Sequence, residues 1–544
     1  MNDDKAQALI REFELLRGSR GTWENHWQEI AERVMPRADT FHNLRQTKGE
    51  KKTEKIFDST AVIALERFAS AMESMLTPRN SKWHGLRASS PELNQDHDVK
   101  LWFEEVTRLL FAYRYSPKAN FASQTHETYM QLGAFGSGSL FVDENTRGGI
   151  RYRSIHLGEI YYAEDHQGTV NRAYRCFQMQ AQAAQQKPEW EGKLPEKIAK
   201  AKNPFEEFEF LHVVMPREDY DPTRADFKGM EFASYYIAVE GKTLLSEGGY
   251  TTFPYPTGRY TTAPNEIYGR SPAMAALADI KMLNEMSKTD IRAVHKLVDP
   301  PILLHNDGLL GGIRPRVTPN AVNYGMVSPD GRPLMQPFYS GARVDIAEEK
   351  MDKRRQSIND AFLVTLFQIL VENPRMTATE ALLRAQEKGA LLGPTMGRQQ
   401  SEFQGPLIER ELDILMRQGV IPPMPGALIE AQGEYEIEYD SPLNRLQRAE
   451  DAAGIARTLE MLTPLAQIDP SVLLTINPQE ASRIVAEVNG VPAMAIRSRD
   501  EVQKLLEAQQ QAEEQQRQIE QMQPAATAVK DLAESQAMLS GPAQ

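Results

Sequence analysis

Cysteine is almost absent: Cys176 stands alone among 544 residues. That excludes an internal disulfide and any zinc site built on cysteines, and it makes a reducing compartment the expected place of assembly. Long apolar runs are missing too. The longest, Ala361 to Val371, is interrupted by Thr365 and Gln368. It falls well short of the roughly 18 residues a spanning helix needs, so no membrane association is expected. The opening Met1-Asn2-Asp3-Asp4-Lys5 has neither a basic segment nor an apolar one, and no signal peptide is expected. Positive charge is in deficit, with 62 Lys and Arg against 75 Asp and Glu and a net charge of −13. A domain that grips DNA over its surface draws most of its affinity from basic contacts to phosphate, and this balance argues against one. A protein that surrounds DNA without adhering to it is compatible with such a charge.

Catalytic motifs are equally scarce. No GxxxxGK[ST] phosphate loop, GxSxG elbow or HExxH helix occurs. The ten histidines are scattered, and His156 and His166 lie ten residues apart, which is no ligand spacing. Gly136-Ser137-Gly138-Ser139 reads as a flexible turn before a short strand, not as a phosphate cradle opening a helix. Cys176, within Tyr174-Arg175-Cys176-Phe177, reads as a packed small residue and not a nucleophile. Acidic pairs such as Glu104-Glu105 are adjacent in sequence and do not share a helix face. The run from Lys48 to Lys55 reads either as an exposed loop or as a contact with DNA or a partner subunit. No enzyme activity, cofactor or metal is expected.

What is present is enough apolar content, 41%, for several cores, since one core rarely grows past about 250–300 residues. The first 135 or so residues read as helical. Ala6 to Val34 carries Leu9, Phe13, Leu16, Trp23, Trp27 and Ile30 at helical spacing, with a break at Gly18 and Gly21. Asp58-Ser59-Thr60 caps a helix reaching about Met75, and two more helices span Val99 to Tyr113 and Phe121 to Leu132. Short strands follow at Leu140–Val142, Ile150–Ile155, Glu159–Ala163, Arg172–Met179, Phe208–Met215, Phe232–Glu240 and Lys242–Leu245. A helix over Pro188 to Ala201 interrupts them.

From Ser271 a long helix begins, with Pro272 at its first position, where the missing N–H costs nothing. Ala273, Ala276, Ile280, Leu283, Ser287, Ile291, Val294 and Val298 form one stripe along it. From Pro272 to Leu297 it would be about 39 Å long. Asp299-Pro300-Pro301 stops it, and a proline-rich insert follows. A second long helix spans about Arg343 to Leu370, with Ile358, Phe362, Leu366 and Ile369 on one face, and Asn373-Pro374 breaks it before a third over Thr377 to Leu392. Leu407 to Leu506 reads as mainly helical, with one strand at Tyr435 to Tyr439. Beyond Glu507 the composition collapses to Gln, Glu and Ala, which argues for disorder or a solvated helix. The fold class expected is α+β, predominantly helical.

Several segments, in order, resemble the head-to-tail connector, or portal, family of podoviruses. They are Trp23-Glu24-Asn25-His26-Trp27 through Met35-Pro36-Arg37, the FDST helix start in Ile56-Phe57-Asp58-Ser59-Thr60-Ala61, Leu76-Thr77-Pro78-Arg79-Asn80-Ser81-Lys82-Trp83, and Tyr268-Gly269-Arg270-Ser271-Pro272. The similarity covers roughly residues 1 to 510. FDST and YGRSP are short motifs, and their order and spacing carry the specificity.

The resemblance implies a virion ring of about twelve subunits at the portal vertex, assembled in the host cytoplasm. It implies a wing over 1–270, stem helices at 271–298 and 343–370, a clip at 299–342 and a tunnel loop at 371–376. Returning wing helices at 377–442, a crown at 443–506 and a flexible tail at 507–544 complete the plan. The implied partners are other copies of the chain, double-stranded DNA, terminase, scaffold and major capsid protein, and tail adaptor proteins. On that plan Ile280, Leu283, Ile291 and Val294 are the stem-packing residues. Arg314, Arg316 and Arg332 are the clip docking candidates. Lys350, Lys353 and Arg354, three and four residues apart on one arc, and Arg375 in the tunnel loop are the DNA-channel candidates, with ion pairing to nearby acids as the alternative. Two other classes stay open: another phage structural component such as a scaffold or internal core protein, and a nucleic-acid-processing enzyme.

Overall fold

A computed structural model describes residues 2–41, 49–146, 148–304, 316, 321–324, 326–337, 344–365, 393–431, 433–439, 454–455, 457–458, 460–462, 477–488, 491, 493–499 and 501–514. The fold is mixed α/β, and contacts divide the chain into two units, 1–83 with 109–421, and 84–108 with 422–544.

In the first unit, α1 (Asn2–Ser19) and α2 (Gly21–Val34) are separate helices, as the glycines at 18 and 21 suggest. Helices α3 (Thr60–Leu76) and α5 (Phe121–Phe135) pack together around Leu65, Phe68, Tyr129 and Phe135, all essentially inaccessible. The strands form two antiparallel sheets. β2 (Ser137–Glu144) lies between β3 (Ile150–Ile155) and β9 (Thr257–Arg259). The second sheet is a meander of β4 (Ile160–Glu164), β5 (Val170–Gln180), β6 (Glu207–Pro216), β7 (Phe232–Ala238) and β8 (Thr243–Tyr250).

Period-two alternation gives that meander two apolar faces. Tyr174, Leu211, Val213, Tyr235 and Ile237 meet Leu9, Ile10 and Phe13 of α1, and Phe177, Phe210 and Leu245 meet Trp190 and Ile198 on the other side. Trp190 stacks on Phe210 at 5.1 Å. The packing that covers this second face is not the continuous helix expected over Pro188 to Ala201. It is α6 (Ala181–Gln185), a short 3-10 turn and α7 (Glu196–Ala199). Gly192 at φ +73° and Pro195 break the helical path between them.

Gly136 to Ser139 is likewise no flexible turn. Gly136 ends α5 at φ +81°, and β2 begins at once with Ser137, Gly138 and Ser139 buried. A Cβ on Gly138 would lie 2.6 Å from the Thr128 carbonyl oxygen, so only glycine lets the strand pass the helix. Cys176 is packed as expected, its thiol donating to Glu209 Oε1 at 2.7 Å.

In the second unit, β1 (His84–Ala88) pairs antiparallel with β12 (Tyr435–Tyr439), and Arg87 bridges Glu436 across the pair. Asn94 braces the strand end by bonding both the N–H and the C=O of Ala88. Trp102, on α4 (His97–Arg114), donates its Nε1–H to the Pro422 carbonyl at 3.0 Å. Among the described residues no helix is long and apolar enough to cross a membrane.

Candidate functional site

The two long helices carry most of the expected site. α8 (Pro272–Val298) runs 27 residues, about 40 Å. Its start is fixed by the YGRSP segment. Ser271 Oγ accepts from the Met274 N–H at 3.0 Å and donates to the Ala134 carbonyl at 2.8 Å, with Pro272 at the first position. Tyr268 wedges against Trp27 (5.0 Å), Tyr162 (5.5 Å) and Trp23 (5.9 Å). Gly269 N–H donates to Ser137 Oγ, and a Cβ there would sit 2.1 Å from the Gly136 carbonyl oxygen. The two glycines therefore let the helix entry lie flush against the α5–β2 junction.

The FDST segment clamps both long helices. Asn284, buried within α8, accepts from the backbone N–H groups of Phe57 (2.8 Å) and Asp58 (3.2 Å) and donates to Ile280 O (3.0 Å). Ser287 Oγ donates to the Phe57 carbonyl at 3.1 Å. Asp58 Oδ1 accepts from the Thr60 N–H, capping α3, while Oδ2 accepts two bonds from Arg355 of α9 (Val344–Ala361) at 2.9 and 3.0 Å. Burial alone would push the Asp58 carboxyl up. The Thr60 bonds and the Arg355 guanidinium outweigh it and hold the carboxyl below its ordinary value.

The stem-packing candidates divide. Ile280 and Leu283 are each 1% exposed, packed inside the subunit, whereas Ile291 is 44% exposed and Val294 half-buried. No α8 residue beyond Asn284 is fully buried, and Leu297 and Val298 are 51% and 79% exposed. The apolar stripe thus continues past the point where the other described residues cover it.

The basic candidates of α9 are not one cluster. Arg354 reaches Asp279 of α8, a bond that ties the two helices together. Lys353 pairs with Glu349 one turn back at 2.8 Å, both exposed, and Lys350 is exposed. Arg355 points away from that arc, to Asp58 and Asp352. α9 also ends earlier than the sequence suggests. Leu363 takes φ +58°, and the chain turns there with Ile358 and Phe362 buried. Leu366, Ile369 and Arg375 lie outside the described residues, as does Arg314. Of the remaining clip candidates, Arg316 and Arg332 are both exposed. The backbone of Arg316 is bracketed by the Asn323 side chain (2.8 Å each way). Short strands Ile302–Leu304 and Met335–Pro337 (β10, β11) pair and close the base of this insert.

Sequence reasoning missed the buried charges that lock the scaffold. Arg114 and Glu411 are fully buried and bonded to each other, and Tyr152 donates to the same carboxylate at 2.6 Å. Residue type gives no warning of such a pair, because its members are 297 positions apart. Asn284 did leave a signal, a polar residue beside an otherwise apolar stripe. Among the described residues, no group of three or more His, Cys, Asp or Glu is placed to hold a metal ion.

The sequence profile of a family described as "Bacteriophage head to tail connecting protein" matches residues 6–496. A "Probable portal protein" of Bordetella phage BPP-1 is 30% identical over 491 residues, 89% of this chain and 87% of the relative. The "Portal protein" of Salmonella phage epsilon15 is 27% identical over 550 residues, 98% of this chain and 97% of the relative. A chain from a solved "Virion of native gene transfer agent (GTA) particle" aligns over 78% of this chain and 94% of its own length, at 12% identity and a TM-score of 0.36. With a match over residues 6–496 of its 544, the chain belongs to the bacteriophage head-to-tail connecting protein family.

Proposed function

We propose that this chain is the portal subunit of a phage virion, closing with copies of itself into a ring through which double-stranded DNA is packaged and ejected. One observation carries the reading: the apolar stripe of α8 is packed inside the subunit at Ile280 and Leu283 and stays open at Ile291 and Val298. An apolar face left open on a long helix marks a surface meant for a partner, and a head-to-tail ring covers it with the next copy. The role is structural. Residues 271–298 and 343–370 then serve as stem, 299–342 as clip and 443–506 as crown. Lys350 and Lys353, the latter from a surface pair with Glu349, are the exposed α9 cations offered to passing phosphates, while Arg354 holds the stem together. Few cations in an acidic protein suit DNA that must slide and not stick. The clip arginines Arg316 and Arg332 are offered to terminase and later to tail adaptor proteins, and the wing to scaffold and major capsid protein. Light scattering on the purified full chain tests the reading: a mass of about twelve subunits is expected, and a strictly monomeric mass at all protein concentrations would contradict it.

A further inference from the structure

The apolar stripe of α8 is broken at one level, between its packed half and its open half. Ser287 stands on the stripe and Asn284 beside it, between Leu283, packed inside the subunit, and Ile291, 44% exposed. The polar ties of α8 to its neighbours gather around the same level. Asp279 meets Arg354 of α9, and Lys281 meets Glu29 of α2 at 2.7 Å. Asn284 and Ser287 hold the Phe57–Asp58 backbone, and the Lys288 ammonium lies 5.3 Å from the Phe57 ring. Asp58 extends the connection to Arg355 of α9 and, through the Thr60 N–H, to the start of α3. From Asp279 to Lys288 these ties occupy about three turns of helix.

Asn284 is 6% exposed, and burying its amide costs free energy that an apolar side chain of similar size would not. What the amide adds is direction. It accepts from two backbone N–H groups and donates to Ile280 O. Such bonds weaken steeply as their angles open, whereas apolar burial has no preferred direction. A lone buried asparagine in a coiled-coil seam fixes register at a cost in stability on the same ground. Here the fixed quantity is the angle at which the open half of α8, from Ser287 to Val298, leaves the body of the subunit. A closed ring is sensitive to that angle. Adding or removing one copy in a ring of about twelve changes the angle between neighbours by only about 2–3°. Along roughly 17 Å of helix that is a shift of under about 1 Å at the tip.

We infer that Asn284, Ser287 and Arg355 are positioning residues that set the angle of the open half of α8 and thereby select how many copies close the ring. The inference rests on the ring reading above. Copies per ring are counted in electron-microscopy class averages of the purified full chain, wild type beside N284A and S287A/R355Q, with native mass spectrometry on the same samples. Ser287 and Arg355 are partly exposed, so S287A/R355Q keeps the fold and decides the matter if N284A does not fold. H126Q, which loosens the contact of α5 with α3 away from this joint, controls for a general loss of stability. In the joint variants the ratio of the commonest ring order to the orders one copy larger or smaller is expected to fall about tenfold. In H126Q it should stay at the wild-type value. Wild-type rings with the same ratio in S287A/R355Q, an equal fall in H126Q, or folded joint variants that form no ring overturn the inference and leave the ring reading standing. A wild type that forms no ring removes the ring reading itself, and the inference with it.

Discussion

Asp58 and His126 are small switches in the subunit's stability with opposite pH signs. Asp58 is held below its ordinary carboxylate value by Thr60 and Arg355 against the cost of burial. A depressed folded value adds stability that is complete above the unfolded value of about 4 and is lost as pH falls through the folded one. D58N keeps the Thr60 bond and loses the ion pair. Its urea midpoint is expected below that of the wild type at pH 7, with the gap closing as the solution is acidified below pH about 4. His126 of α5 is raised, first by its hydrogen bond to Glu73 (2.9 Å) and, after burial is set against it, by the Glu73 and Glu66 charges of α3. Its contribution is full below the unfolded value of about 6.5 and fades as pH rises through the folded value. H126Q should therefore lose more stability at pH 6 than at pH 9, in the same denaturation assay. The Arg114–Glu411 pair makes a sharper residue-level case. R114M strands a buried carboxylate and should cost about 3–5 kcal/mol, while the apolar double variant R114M/E411L recovers most of it. A double-mutant cycle from denaturation midpoints reads both.

At the scale of elements, the helix entry at Tyr268 to Pro272 depends on two glycines meeting. A Cβ on Gly269 would fall 2.1 Å from the Gly136 carbonyl oxygen, a backbone atom with no freedom to retreat. G269A is expected to cost about 1–3 kcal/mol, visible as a lowered melting temperature. Much of this level was legible in the sequence. Proline at position 272, the stripe from Ala273 onward and the alternation from Leu140 to Leu245 are local periodicities, and local patterns name local structure. The helix expected over Pro188 to Ala201 was lost because Gly192 and Pro195 outweighed composition. Strands β1 and β9 passed unnoticed because each is short and is made a strand by a distant partner, β12 or β2. The functional motifs were legible as similarity only. That Asp58 would clasp Arg355, and Asn284 the Phe57–Asp58 backbone, is a matter of three-dimensional proximity that spacing does not encode.

At the scale of the whole molecule, the proposed ring divides α8 into a half packed within the subunit and a half offered to a neighbour. The inner half, with Ile280 and Leu283 at 1% exposure, is core, so I280D should unfold or precipitate the chain through an unpaired buried charge. The outer half, with Ile291 at 44% exposure, contributes little to the isolated fold. An I291D/V294D variant should keep the wild-type circular dichroism spectrum and still fail to assemble. These two outcomes separate a defect in folding from a defect in association, which a single substitution at either place would confuse. The most direct measurement is negative-stain electron microscopy of the purified full chain beside I291D/V294D. Closed rings with a central channel for the wild type, and folded single subunits for the variant, are the expected result. Wild-type images showing only compact monomers or elongated rods, or intact rings from the variant, would contradict the assignment of this open helix face to the ring interface.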